Sequence, residues 1–318
     1  MENSSSFAAG RRGLLRRIAG GAAVAAATLA LPGCAYKSFT PIPYRPALYE
    51  ANHADLPGRI LLFGSVHAGI PRFYPLPDAI EAAYRSADRV AIELDVASHM
   101  PALRAAVAPL AAWAPGESLE TVVSPKLLRE LRRHFRYDHL EWSKTRYTKP
   151  WALALSMVSV DDAGLAATGT HGIESYMLKM AREDGKAVVE LETAAEQAWA
   201  FAGGSPEEQE AVLAFRLEQL KGYDRTFSQI VQAWRLGDVD RLARLRLHAY
   251  PTAGVLGSAH RRVFTERDER MAQRLAGEAR LPGTVMAVVG AFHLVGEGNM
   301  LDHLREAGFE IKRIGYER

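Results

Sequence analysis

Apolar positions in this chain cluster into short continuous runs, separated by segments with helical spacing. "RILLFGSVH", from Arg59 to His67, is a short apolar, β-leaning run that predicts a buried strand. In "DAIEAAYRSA", which follows Pro77, the residues Ile80, Ala83 and Tyr84 fall on one helical face. Asp88 and Arg89 then turn the chain into a second apolar run, "VAIELDV". Strand, loop, helix, strand is the unit that builds parallel sheets.

The middle of the chain reads mostly as helix. "SPKLLRELRRHFR" and "PWALALSMVSV" each begin at a proline, Pro125 and Pro150, where a helix tolerates one. "GIESYMLKMAREDGKAVVELET" predicts an amphipathic helix, a stop at Gly185 and a third strand from Ala187 to Leu191. Downstream, Ser205-Pro206-Glu207-Glu208 is a capped, acidic start to a long helical pair.

The C-terminal part repeats the opening pattern. "TVMAVVGAFHLVGEGNMLDHLREAGFEIKRI" is strand, Gly-x-x-His, Gly-rich loop, helix, a stop at Gly308, then strand. Gly64-Ser65-Val66-His67 matches Gly290-Ala291-Phe292-His293, which predicts an internal repeat. The expected fold is α/β: a mixed, largely parallel sheet built from two related β-α-β halves, with a helical insertion between them. In such a sheet both histidines can converge on one edge, where open α/β sheets place ligands.

The N-terminus changes the picture of location. Arg11, Arg12, Arg16 and Arg17 precede a small-apolar run from Ile18 to Leu31, which suits a signal-peptide core better than a membrane span. The arginine pair resembles a twin-arginine export signal. Leu31-Pro32-Gly33-Cys34 resembles a lipobox, with Pro32 an unusual occupant. Cys34 is the only cysteine of the 318 residues, so no internal disulfide can form, and lipidation accounts for its position. The expected organisation is a signal over residues 1–33, a lipidated tether over 34–58 and a folded domain over 59–318. The expected location is the periplasmic side of a Gram-negative envelope, with Ala35 after the cysteine leaning towards the outer membrane. A net charge of +2, with 24% charged residues, gives no electrostatic reason to expect a nucleic-acid partner.

The candidate chemistry sits at the strand ends. His67 alone reads as a structural histidine; His293 in the same context favours a shared site. Glu93 ends "VAIEL" and Glu192 ends "AVVELE". Imidazole plus carboxylate is a ligand set that suits zinc, manganese, cobalt or iron. The same groups could form a metal-free acid/base set. No HExxH pair or cysteine cluster supplies a local metal signature. Arg267 and Asp268 lie in "FTERDERMAQRL", which by itself reads as a solvated helix face with i, i+4 pairs.

Five ordered blocks carry a family resemblance: "LFGSVHAGIPRFYPLP", "AIELD", "AREDGKAVVELETAAEQ", "TERDERMAQRL" and "VVGAFHLVGEGNMLDHLREAGFEIKRI". Together they resemble the TraB/GumN family, which includes the Tiki metalloproteases. The resemblance implies duplicated halves, a relation to erythromycin-esterase-like hydrolases and haem-binding lipoproteins, and, for Tiki members, peptidase activity favouring manganese or cobalt. By position it implies His67 and His293 as paired histidines, Glu93 and Glu192 as acidic partners, and Gln197, Arg267 and Asp268 as further site residues. Phe292, where a small residue is usual, and Asn299, where Gly is common, depart from the pattern. The reading that follows is an exported lipoprotein with a divalent-metal-dependent hydrolase site. There Arg267 would steady a substrate carboxylate or an oxyanion. Its substrate would be a peptide or another small molecule. A haem- or metal-binding lipoprotein without turnover and a metal-free esterase are the alternatives.

Overall fold

The computed structural model describes residues 44–66, 73–111, 113–137, 142–160, 172–220 and 223–316. The segment read as an export signal, Cys34 and His67 lie outside the described residues.

Six strands among the described residues form one sheet. They are β1 (Leu48–Asn52), β2 (Gly58–Ser65), β3 (Arg89–Ile92), β4 (Ala187–Glu190), β5 (Gly283–Gly290) and β6 (Glu310–Arg313). Their spatial order is β4-β3-β5-β2-β1-β6. The four strands β4, β3, β5 and β2 are parallel, and β1 runs antiparallel to both β2 and β6. The sheet is therefore mixed and largely parallel, as the apolar runs imply. Parallel strands buried on both faces need unbroken apolar sequence, and all but one residue of both β2 and β5 is buried.

The two repeats cross the sheet in opposite directions. From β2, the chain passes through helix Asp78–Ser86 and skips over β5 to reach β3. From β5, it passes through helix Met300–Glu306 and skips over β2 and β1 to reach β6. Two crossovers of the same hand that run in opposite directions must cover opposite faces. They do: Ile80 and Tyr84 pack with Leu61, Phe63, Met286 and Val288, whereas Met300, Leu301 and Leu304 pack with Ile60, Leu62, Val285 and Ala287. Each fully buried side chain of this kind contributes about 1.5–3 kcal/mol, so the β2–β5 pair anchors the fold.

The helical insertion makes a core of its own, with Leu119, Leu127, Leu131, Leu153, Met157 and Leu213 packed together. Among the described residues no helix is long and apolar enough to cross a membrane.

Two expectations need correction. The segment read as tether to residue 58 carries β1, which lies inside the sheet with Leu48 and Ala51 fully buried. Its five residues are flanked by Pro46 and Pro57, and those prolines masked the strand. The long helical pair after Ser205 is three helices: Pro206–Leu220, Tyr223–Leu236 and Val239–Ala249. The second break follows from Gly237, which adopts φ 61°, and from Asp238, whose carboxylate accepts the Arg241 N–H at 3.0 Å.

Candidate active site

Strands β2, β3, β4 and β5 all end at one edge, and the site grows from those ends. Beyond β3 and β4 the pairing continues: the Leu191 N–H donates to the Ile92 carbonyl at 2.8 Å, and the Glu192 N–H to the Glu93 carbonyl at 2.9 Å. Glu93 and Glu192 are thereby fixed side by side just past the edge. After β5 a single 3-10 turn, Ala291–Leu294, carries His293. Ser65 of β2 is in register with Gly290 of β5, so the two Gly-x-x-His segments leave the sheet from neighbouring strands. Gly64 eases the close approach there, because a Cβ would sit 3.1 Å from the Ala291 Cα, closer than ordinary contact.

Helix Glu266–Glu278 brings the remaining members, and a π-helical turn, Arg261–Thr265, leads into it. Arg267 is 3% exposed and Asp268 is fully buried. The Arg267 guanidinium forks onto Glu192: Nε donates to Oε1 at 2.8 Å and Nη2 to Oε2 at 2.5 Å. Nη2 also donates to Glu93 Oε2 at 2.7 Å, and Nη1 to the Val263 carbonyl at 3.2 Å. Glu93 Oε1 accepts the Gly290 N–H at 2.7 Å. Burial works against the Arg267 charge, but its bonds to Glu192 and the charge of Glu93 outweigh it, so its pKa is raised and it stays cationic.

The contacts of His293 fit one neutral tautomer. Its Nε2 faces Arg267 Nη1 at 3.4 Å, and a guanidinium only donates, so Nε2 is the acceptor. The proton is then on Nδ1, which donates to Asp268 Oδ1. Nε2 also lies 3.8 Å from Glu93 Oε1, and the Phe264 ring packs 5.4 Å from the imidazole. Burial pushes the Asp268 carboxyl above its ordinary range, although His293, Arg246 and Arg267 all pull it down.

Arg246 is the member that sequence reasoning missed. Its Nη1 donates to the Phe292 carbonyl at 3.0 Å and to the Val295 carbonyl, and its Nη2 stands 3.7 Å from Asp268 Oδ2, which has no hydrogen bond. The signal was present: Arg246 shares the buried face of its helix with Leu242, Leu245 and Ala249. A charge on an apolar stripe needs a partner.

Of the sequence candidates, Glu93, Glu192, Arg267, Asp268 and His293 come together. Gln197, in helix Ala194–Ala202, joins none of these contacts among the described residues. Its neighbour Glu196 does support the strand end. Arg274 Nη1 donates to the Leu191 carbonyl at 2.7 Å and to Glu196 Oε2 at 2.8 Å, while Glu196 also closes the helix cap with Thr193. Hydrogen bonds from Arg274, then from Thr193, lower the Glu196 pKa to about 2 against burial. A depressed folded pKa stabilises above the ordinary value of 4.5, and that contribution is lost as pH falls from there towards 2. Between pH 5 and pH 3 the wild-type urea midpoint should therefore fall further than that of Glu196→Gln. Equal slopes would show that this pair contributes nothing. Asn299, the second departure noted in the sequence, caps helix Met300–Glu306 by accepting the Leu301 N–H at 2.8 Å.

The cluster has a charge imbalance. Three buried carboxyl groups (Glu93, Glu192 and Asp268) stand against two guanidinium groups, Arg246 and Arg267, and burial favours a proton on Asp268. A buried excess of negative charge is costly unless a proton or a cation joins it. An oriented imidazole nitrogen beside that excess fits a divalent cation, and a carboxylate on the other ring nitrogen is the usual support for such a ligand. Glu192 fits less well as a ligand, since both its oxygens already face Arg267. Among the described residues alone, no group of three His, Cys, Asp or Glu side chains is set to hold a metal ion.

These features define an α/β protein with a buried histidine–carboxylate–arginine cluster at the carboxyl edge of a largely parallel sheet. The chain belongs to the TraB/PrgY/gumN family, whose model matches residues 47–313. It is 26% identical over 259 residues to a protein of Escherichia coli (strain K12) named Uncharacterized protein YbaP, covering 81% of this chain and 92% of that one. It is 23% identical over 303 residues to Metalloprotease TIKI2 of Danio rerio, covering 79% of this chain and 57% of that one. No solved structure gives a significant match.

Proposed function

We propose that the chain is a hydrolase that cleaves peptide bonds at Nε2 of His293, with a divalent cation held by His293, Glu93 and His67. The Asp268–His293 pair carries the reading: it is a buried imidazole oriented by a carboxylate through Nδ1, with Nε2 presented to Arg267 and Glu93. The relative named a metalloprotease supports both a metal and a peptide substrate. Manganese or cobalt is favoured by the family resemblance, and zinc or iron takes the same donors.

When bound, the cation would supply Lewis acidity towards a scissile carbonyl and towards water. The remaining work falls to the chain. Asp268 holds the proton on Nδ1, so Nε2 presents its lone pair. Glu93, fixed by the Gly290 N–H, is the carboxylate nearest Nε2; where it does not hold the cation, it can take a proton from water. Glu192 is a positioning residue that keeps Arg267 charged and aimed. Arg267 Nη1 makes the longest of that residue's contacts, 3.4 Å to His293, and is the donor that can turn to an oxyanion.

The test is cleavage of unstructured peptides by the purified full-length chain in detergent, with EDTA and metal add-back. Cleavage should be lost in EDTA and restored by Mn²⁺ or Co²⁺. Full activity in EDTA would remove the metal and leave histidine–carboxylate chemistry. Inactivity with every metal, together with a Soret band on adding haem, would move the reading to a binding protein.

Anchoring at Cys34 belongs to the same proposal and rests on the basic, apolar, lipobox-like order of the first residues. An alkyne-tagged fatty acid fed to expressing cells should label the protein and fail to label Cys34→Ala. An unmodified start downstream of Cys34, recovered in a soluble periplasmic fraction, would refute it.

A further inference from the structure

A half-open cleft with a cavity volume of about 60 Å³ is lined by Trp151, Phe201, Phe215, Leu256, His260 and Val263. One of its walls is the back of the candidate site. The Val263 carbonyl accepts the Arg267 N–H at 3.2 Å, and the Phe201 ring lies 5.9 Å from the same guanidinium. The next residue, Phe264, packs on His293. The π-helical turn Arg261–Thr265 makes this possible, for it supplies Arg262 and Val263 to the cleft and Phe264 to the imidazole. Such turns interrupt regular helix bonding and occur often at functional sites.

Two of the cleft's charges are spent on each other, and a third, Arg216, lies over the Tyr250 ring and donates to Gln219 Oε1 at 2.7 Å. Arg262 Nη1 donates to Glu208 Oε2 at 3.1 Å, and Nη2 donates to Glu208 Oε1 and, at 2.6 Å, to the Gly203 carbonyl. His260 is tied through Nδ1 to the Tyr250 carbonyl at 2.7 Å, and burial lowers its pKa, so it stands as a neutral wall. A cationic side chain entering here would lose water and meet no carboxylate that is not already bonded to Arg262. An apolar one would exchange water for aromatic and aliphatic contact.

We propose that this cleft is the subsite for a large apolar side chain of the peptide substrate, close to the bond that is cut. The assignment rests on the hydrolase reading. It makes Ala259, at the cleft wall, a specificity-determining position.

The experiment uses the full-length chain in detergent with a mixed peptide library, and cut sites are read by mass spectrometry. Cuts should cluster beside Phe, Leu, Met or Trp. Ala259→Trp, which fills the cleft, should lower the preference for large over small apolar residues by at least tenfold, the scale on which an apolar pocket discriminates size. If that variant fails to fold, Leu155→Glu at the exposed rim serves instead. Cleavage with no apolar preference, or a preference unchanged in a folded variant, overturns the subsite. Absence of all cleavage overturns the hydrolase reading, and the cleft is then decided by binding. N-acetyl-phenylalanine amide should shift the methyl resonances of Leu256 and Val263 in the wild type and not in Ala259→Trp. No shift in the wild type overturns the subsite there too.

Discussion

Arg267→Met is expected to lower folding stability by about 3–5 kcal/mol, the cost of removing one partner from a buried ion pair. The substitution leaves Glu192 and Glu93 buried with their shared cation gone. Against a typical total of about 5–15 kcal/mol, that loss unfolds a substantial share of molecules at 37 °C. Arg267→Lys should recover only part of it, since an ammonium cannot fork onto Glu192 and also reach Glu93 and Val263. Adding Glu192→Gln and Glu93→Gln to Arg267→Met should restore stability relative to Arg267→Met alone, because no buried charge is then left over. Urea denaturation measures all three. A cost below about 1 kcal/mol for Arg267→Met would mean that the cluster is solvated in solution.

His293→Ala should behave in the opposite way. Truncating one buried histidine costs about 0.5–3 kcal/mol of stability, whereas losing the open nitrogen should cost peptide cleavage about 10²–10⁴-fold. Asp268→Asn should cost less, about 10–100-fold, because it weakens the support of Nδ1 and leaves Nε2 in place. The readout is kcat/KM on one peptide, with circular dichroism to show that each variant is folded. Cleavage by His293→Ala within twofold of wild type would place the chemistry elsewhere in the molecule.

Parts of this site were legible in the sequence for identifiable physical reasons. His293, Glu93 and Glu192 follow apolar strands, and a strand end fixes where a side chain emerges. Arg267 and Asp268 were not legible from their own segment, because a helix reading Glu-Arg-Asp-Glu-Arg has the composition of a solvated surface. Only the ordered family blocks marked them, and burial against the sheet edge is a tertiary fact that no local spacing encodes. Arg246 could have been found, because it interrupts an apolar stripe, but the stripe had first to be drawn through a helix whose start at Asp238 was run together with its neighbour. β1 was hidden for a different reason. It is short, bordered by prolines, and owes its burial to β2 and β6 on either side. Propensity within five residues carries little of that information.

The direction of β1 also bears on where the protein can act. Because β1 is antiparallel to β2, its first residue, Leu48, pairs with Phe63 near the end of β2. The chain therefore joins the sheet at the same edge that carries His293. Thirteen residues lie between Cys34 and Leu48, a contour of at most about 50 Å when fully extended. With a lipid on Cys34, the reacting groups would work as if on a short leash, sampling only a thin layer above the bilayer. Substrates would then be selected by how close to the membrane surface their exposed segments lie, as well as by what those segments contain.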